Sequence, residues 1–272
     1  VPPAVEVRGV EHIFAASGDR EVTALTGIDL TVGSGEFISL IGPSGCGKST
    51  LLRLIADLIT PTSGTVLVNG KPARAARAGR EYGMIFQTPV LFDWRSVERN
   101  VALPLEILGL SRSARDERVG GALATVELSD FGRHHPWQLS GGMQQRAAIA
   151  RALVLKPSIL LMDEPFGALD EMTRERMQLE LHGIWESMGT TIIFVTHSIP
   201  EAVFLSTRVV VMSARPGRII DELVMDLPRE RTVDTREASR YYELVTRVRE
   251  SLRAEESRSS SSLQRAAAEG MA

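Results

Sequence analysis

Short apolar runs alternate with amphipathic stretches along this chain. Glu36-Phe-Ile-Ser-Leu-Ile41 is apolar and of strand length, and after a glycine-rich segment Leu51, Leu52, Leu54 and Ile55 recur at helical spacing. Val5, Val7 and Val10 predict a first strand. Val22 to Val32 predicts a second, with Ser17-Gly-Asp19 as the turn between them. Gly64-Thr-Val-Leu-Val-Asn-Gly70 reads as a strand ending in an Asn-Gly turn, and Tyr82 to Phe86 as a short strand ending at Gln87. The texture then changes. Val97 to about Leu155 is mostly helical in pattern, with breaks expected at Pro104, Gly109, Gly120-Gly121 and Pro136. Strand signals return at Ile159-Leu-Leu-Met162 and Thr191-Ile-Ile-Phe-Val-Thr196, and Met172 to Met188 between them predicts a helix with charges on one face. Arg208 to Val224 predicts a hairpin around Arg215-Pro-Gly217.

Strands alternating with helices imply an α/β fold, a parallel sheet with helices on both faces. The helical middle reads as an inserted subdomain. The expected division is a core in two parts, 1–92 and 156–230, around a helical insertion at 93–155. A C-terminal helix at 231–256 and a tail at 257–272 follow. Tyr241, Val245, Val248 and Leu252 recur at a 4-3-4 spacing, as in an amphipathic helix packed on its own domain or held in reserve for a dimer contact. Ser257 to Ala272 is rich in Ser, Ala and charge and is expected to be disordered.

Composition narrows the function. A length of 272 residues, 43% hydrophobic and 24% charged, suits one large globular domain or a domain with a subdomain. The net charge of −3 provides no general basic surface and argues against nucleic acid as a partner. A single cysteine, Cys46, allows no internal disulfide and fits a reducing compartment. No apolar run has the length of a membrane-spanning helix, and Val1-Pro-Pro-Ala carries no signal-peptide pattern. Work at a membrane would therefore go through a partner.

The candidate chemistry starts at Gly42-Pro43-Ser44-Gly45-Cys46-Gly47-Lys48-Ser49-Thr50, which matches G-x-x-x-x-G-K-[ST] between a predicted strand and a predicted helix. Glycines let the backbone turn its N–H groups onto phosphates, and the helix start adds its positive end. Lys48 would reach the β- and γ-phosphates, and Ser49 would ligate Mg²⁺. Ile159-Leu-Leu-Met-Asp163-Glu164-Pro165 is an apolar strand ending in two carboxylates, at the strand end where ligand chemistry gathers in parallel sheets. Asp163 is placed to hold Mg²⁺, directly or through water, and Glu164 to take a proton from, or orient, the water attacking the γ-phosphate. In Leu139-Ser140-Gly141-Gly142-Met143-Gln144-Gln145-Arg146, Ser140 is of N-cap type, and two glycines leave the first amides open to an anion. His134 and His135, without partners at ligand spacing, read as loop residues. Arg112, Arg115 and Arg118 read as a solvated helix face.

With the phosphate loop, LSGGMQQR and LLMDEP in this order, the chain resembles an ABC-type ATPase subunit over nearly all of residues 4 to 230. The resemblance implies a P-loop (RecA-like) ATPase core with an antiparallel β subdomain and an inserted α-helical subdomain, binding ATP and Mg²⁺. It also implies roles for individual residues. Gln87 looks like the glutamine that touches Mg²⁺ and senses the γ-phosphate. Ala168-Leu169-Asp170 looks like the loop that crosses a dimer seam, and His197 like the switch histidine that contacts the γ-phosphate. Phe14 is the candidate aromatic for stacking on adenine. In this family the nucleotide lies between two subunits, one giving the phosphate loop and the other its Ser-Gly-Gly helix start.

Three positions depart from the common family pattern: Met143, Ser198 and Thr207 stand where Gln, Asp and Asp are frequent. None removes a catalytic group. LSGGM, Phe166-Gly-Ala-Leu-Asp170, Glu201-Ala-Val-Phe-Leu205 and Ser213-Ala-Arg-Pro-Gly-Arg218 look most like the nitrate/sulfonate/taurine importer branch, which also includes pyrimidine-precursor uptake systems. The resemblance then implies an ATP-hydrolysing subunit on the cytoplasmic face of the cell membrane. Its partners would be a second copy of itself, a separate permease and, indirectly, an extracytoplasmic solute-binding protein. An exporter ATPase or a non-transport ABC ATPase are the alternatives.

Overall fold

The computed structural model describes residues 2–15 and 21–269, with side chains as far as Glu255. The expected turn at Ser17-Gly-Asp19 and the last three residues of the tail lie outside the described residues. In chain order β1 (Val5–Ala15), β2 (Glu21–Val32), β3 (Phe37–Ile41), α1 (Lys48–Ile55), β4 (Ser63–Val68), β5 (Lys71–Pro72), α2 (Ala73–Ala78) and β6 (Tyr82–Ile85) form the first part. The helices α3 (Val97–Ile107), α4 (Arg112–Thr125) and α5 (Gly141–Leu153) follow. The chain then alternates through β7 (Ile159–Asp163), α6 (Glu171–Met188), β8 (Thr191–Val195), α7 (Ile199–Leu205), β9 (Arg208–Met212) and β10 (Ile219–Val224), and ends in α8 (Ser239–Glu269).

Two sheets carry the molecule. The larger has six strands in the order β10-β9-β3-β8-β7-β6, all parallel except β10, which pairs antiparallel with β9. The smaller is antiparallel, in the order β2-β1-β4-β5. The central strands are buried on both faces, as parallel strands with two covered sides must be. Their side chains alternate between two cores. Phe37, Leu160, Phe194 and Val209 point into one, where α3, α5, α6, α7 and α8 contribute apolar faces. Ile38, Leu161, Ile193 and Val210 point into the other, where α1 fills the space between the two sheets with Leu51, Leu52, Leu54 and Ile55. The phosphate loop therefore sits at the carboxyl end of β3, directly over the helix that joins the sheets.

Local chemistry sets the helix starts. Ser96, Ser111, Ser140, Asp170 and Ser198 each accept a hydrogen bond from an amide in the first turn of α3, α4, α5, α6 and α7. α1 begins instead at Gly47, with no side-chain cap. Its first amides are left for a ligand.

Some boundaries differ from expectation. α3 runs through Pro104, because burying Val97, Val101 and Leu105 outweighs one missing backbone bond. α4 runs through Gly120-Gly121, held by the buried Val119 and Leu123. The C-terminal helix starts at Ser239, after a 3-10 turn at Val233–Arg236. It continues to Glu269, so the stretch expected to be a disordered tail is helical as far as it is described; its Ala, Arg, Glu and Gln residues are good helix formers. Tyr241, Val245 and Val248 of α8 are buried and Leu252 packs against the same core, so this helix lies on its own domain.

Candidate functional site

The loop from Gly42 to Gly47 folds tightly onto its own lysine. Lys48 Nζ donates to the carbonyls of Gly42 at 2.8 Å and Pro43 at 3.0 Å. Gly47 has φ +101°, and a Cβ there would come within 2.5 Å of Leu25 Cδ2. Only glycine fits both demands. Cys46 is buried in the loop, with Sγ 3.7 Å from Lys48 Nζ. Ser44, Gly45, Gly47, Lys48, Ser49 and Thr50 line a cavity of about 510 Å³ together with Phe14, Gln87 and Glu164. Phe14 reaches it from β1, held edge-on by His12 with ring centroids 4.5 Å apart.

Two of the three predicted metal ligands, Ser49 and Asp163, meet directly, while Gln87 lines the cavity with Ser49. Ser49 Oγ donates to Asp163 Oδ1 at 2.7 Å. Burial pushes the Asp163 carboxyl above the usual range, and the Ser49 bond works the other way. A hydroxyl and a buried carboxylate side by side form a hard-oxygen donor set that suits Mg²⁺. These residues fit the ion.

Glu164 follows Asp163 on a strained backbone, φ +47°, which a non-glycine residue rarely adopts. Its amide donates to Val195 O at 2.9 Å, which fixes the turn at the strand end. Its Oε2 accepts from Gln87 Nε2 at 3.1 Å and lies 3.4 Å from His197 Nδ1. Gln87 and His197, from two separate loops, thus converge on the Glu164 carboxylate beside the phosphate loop.

Ser140, Gly141, Gly142 and Asp170 do not line this cavity. Ser140 and Gly141 are exposed at the start of α5, and Asp170 caps α6 through Thr173 N at 3.0 Å. The phosphate loop and this exposed helix start thus stand apart on one chain.

Residues 25–167 match the protein family described as ABC transporter. The chain belongs to the ABC transporter family. It is an ATP-hydrolysing ABC subunit, similar to ATP-binding proteins named for nitrate and taurine import. The uncharacterised ABC transporter ATP-binding protein MJ0412 of Methanocaldococcus jannaschii is 49% identical over 84% of this chain and 85% of its own length. The nitrate import ATP-binding protein NrtD of Synechocystis sp. is 47% identical over 82% of this chain and 83% of its own. The taurine import ATP-binding protein TauB of Chromobacterium violaceum is 49% identical over 74% and 76%. A dimeric post-hydrolysis state of the ATP-binding cassette MJ0796, bound to ADP and Pi, matches with a TM-score of 0.75 at 34% identity, over 81% of this chain and 98% of that one.

The departures from the common ABC pattern are absorbed locally. Ser198 caps α7 by accepting from Glu201 N at 3.4 Å, and Thr207 Oγ1 donates to Phe37 O at 2.9 Å. Met143 packs against the core below α5.

The hairpin tip is the part that motif reasoning passed over. Arg215 lines the cavity and donates to Gly45 O at 3.3 Å. Gly217 lies so close to the loop that a Cβ would fall 2.0 Å from Cys46 O. The sequence signal was there, in Arg215-Pro-Gly217, but it read as a plain turn. Gln145 was also missed. It is fully buried, and its Nε2 donates to Phe86 O at 3.1 Å, which ties α5 to the residue before Gln87. Among the described residues no cluster of three or more His, Cys, Asp or Glu is placed to hold a metal, and no helix is long and apolar enough to cross a membrane.

Proposed function

We propose that this ABC subunit works as a pair on the cytoplasmic face of a membrane permease, and that each ATP lies between the phosphate loop of one copy and the α5 start of the other. The observation that carries this reading is the split site: the cavity holds the phosphate loop with Glu164, while the capped, glycine-led start of α5 stands exposed elsewhere on the same chain. An uncovered helix start with free amides suits the γ-phosphate held by a second copy.

Within one site the roles follow from the geometry. Loop amides and Lys48 hold the phosphates, and Lys48 exchanges its loop carbonyls for phosphate oxygens. Ser49 and Asp163, with Gln87 beside them, would hold Mg²⁺, which supplies charge neutralisation on the phosphate oxygens. Phe14 offers a face for adenine. Glu164 accepts the proton of the attacking water as the water oxygen bonds to the γ-phosphorus and the bond from that phosphorus to the β–γ bridging oxygen breaks, so that ADP leaves with the electron pair and phosphate is released. Gln87 and His197 hold the Glu164 carboxylate in position. His197 would also contact the γ-phosphate, a role supported by its contact with Glu164. Closure of the pair with ATP and its release after hydrolysis would drive the permease.

For the solute, relatives named for nitrate and taurine import support a small anion or zwitterion, brought by a separate solute-binding protein; a pyrimidine precursor rests on the branch resemblance alone. The core 1–92 and 156–230, the helical part 93–155 and the C-terminal helix would move as the units of this cycle.

Glu164→Gln tests the reading. The variant should bind ATP, lose nearly all turnover and accumulate as an ATP-bound dimer, because an amide cannot take the proton. Size-exclusion chromatography with ATP, alongside phosphate release, measures both. Rapid hydrolysis by the variant would remove Glu164 from this role.

A further inference from the structure

The exposed start of α5 is in contact with the loop before α6. A Cβ at Gly142 would lie 3.1 Å from Leu169 Cδ2 and 3.7 Å from Ala168 O. Leu169 is buried, while Ala168 and Asp170 are exposed. Arg174, in the first turn of α6, grips this loop from behind: Nη2 donates to Leu169 O at 2.7 Å and Nε to Phe166 O at 3.4 Å. The same Nε lies 3.7 Å from Glu201 Oε1.

Glu201 is 8% exposed and holds both neighbours of His197. Its Oε2 accepts from Thr196 Oγ1 at 2.6 Å. Thr196 Oγ1 accepts in turn from Ser198 N at 3.0 Å, and Ser198 Oγ accepts from Glu201 N at 3.4 Å. Gln178 Nε2 donates to the other carboxylate oxygen at 3.1 Å. The His197 side chain is 68% exposed and meets Glu164 at 3.4 Å, so its position depends on the residues that flank it. A cavity of about 70 Å³ lies among Glu164, Gly167, Arg174, Thr196, His197 and Glu201, large enough for a shift or a water. Burial penalises the Glu201 charge, with the bond from Thr196 and then the charge of Arg174 opposing that penalty most. The Glu201 carboxyl is held by these partners and lines no part of the nucleotide cavity.

We propose that Arg174 and Glu201 are positioning residues that carry a displacement of the 166–170 loop to His197. A phosphate seated on the start of α5 thereby adjusts the histidine of the same chain. This rests on the paired reading above, in which that phosphate belongs to the second copy's nucleotide. The link would make each site respond to occupancy of the other through one guanidinium–carboxylate contact. An element that responds to both sites is what such coupling requires.

The test uses the whole chain with Arg174→Met, Arg174→Lys, Glu201→Gln and the Arg174→Met/Glu201→Gln pair. Each of Arg174→Met and Glu201→Gln should lower kcat roughly ten-fold, with KM for ATP within about two-fold. The pair should be no slower than either single variant, and Arg174→Lys should recover most of the rate. Melting temperatures should not move. The chain has five histidines, and a His197→Gln spectrum identifies the His197 imidazole signal by NMR. That signal should shift with a non-hydrolysable ATP analogue in the parent and shift less in the uncoupled variants, where only the direct γ-phosphate contact remains. Unchanged kcat, losses that multiply in the pair, or loss of rate together with melting temperature would overturn the proposal. A parent chain that hydrolyses no ATP would overturn the paired reading too; a parent that hydrolyses ATP normally, with variants that match it in kcat and in the His197 shift, sinks the link alone.

Discussion

His182 is 2% exposed, and its Nε2 has no hydrogen-bond partner in the protein. Desolvation, aided by the charges of Arg231 and Arg229, pushes its pKa down to about 4. In the unfolded chain it titrates near 6.5. Between these values the unfolded chain binds a proton that the folded chain refuses. Stability from this residue is therefore complete above about pH 6.5 and is lost as pH falls toward about 4. The loss amounts to roughly 3 kcal/mol at most. Asp163 and Glu201 act in the opposite direction, since burial raises both and folding then favours their protonated forms. The parent's pH profile mixes these effects, and a variant separates them. His182→Gln should melt with a shallower decline between pH 6.5 and 4.5 than the parent in parallel thermal scans. Parallel declines would show that this imidazole is not the source.

At the scale of elements, α5 is the clearest case of a start that is more than a cap. Ser140 Oγ accepts from Met143 N at 3.3 Å, which any ordinary capped helix would show. The two glycines beside it cost helix stability, and a cap alone does not need them. Ser140→Arg should leave the fold and monomeric ATP binding intact, because the side chain starts at an exposed position. It should stop ATP-driven dimerisation by filling the space a second copy's phosphate needs. Light scattering with ATP reads this, and normal dimers would contradict the shared site. Elements of this kind were legible in the sequence because their periodicity was strong. The central strands announced themselves by apolar runs, and α1, α5 and α6 by helical spacing next to motif residues. The short α2 and α7 lack enough turns to show a period. α3 crosses Pro104 because tertiary burial decides where local propensity objects. The strained backbone of Glu164 and the reach of Arg215 to Gly45 depend on how distant segments meet, and no local pattern encodes that.

At the scale of the molecule, the phosphate site and the helical layer are joined by a short segment after Gln87. Asn100, fully buried, clamps it: its side chain bonds Phe92 N at 2.8 Å and the carbonyls of Phe92, Arg95 and Ser96 at 3.0 to 3.1 Å. Gln145 holds the other end through Phe86 O. A segment fixed at both ends passes movement on instead of absorbing it. Trp94 stands on it, 73% exposed, at the edge of a groove of about 840 Å³ between α3 and α4, which Arg95 and Arg115 brace by pairing with Glu106. Phe92 and Trp94 are the two aromatics of this segment. The structure separates them: Phe92 is half-buried against Trp94, with ring centroids 4.8 Å apart, and only Trp94 lines the groove. An exposed tryptophan contributes little to the subunit's own core, whereas an aromatic anchor in an interface is worth roughly 2 kcal/mol or more. Trp94→Ala should therefore keep the parent's melting temperature and its ATPase rate in isolation. Co-purified with its permease in detergent, it should assemble poorly and lose ATP-driven uptake in vesicles. Loss of stability and ATPase activity together would make Trp94 part of the subunit's own packing and move the permease contact to another face.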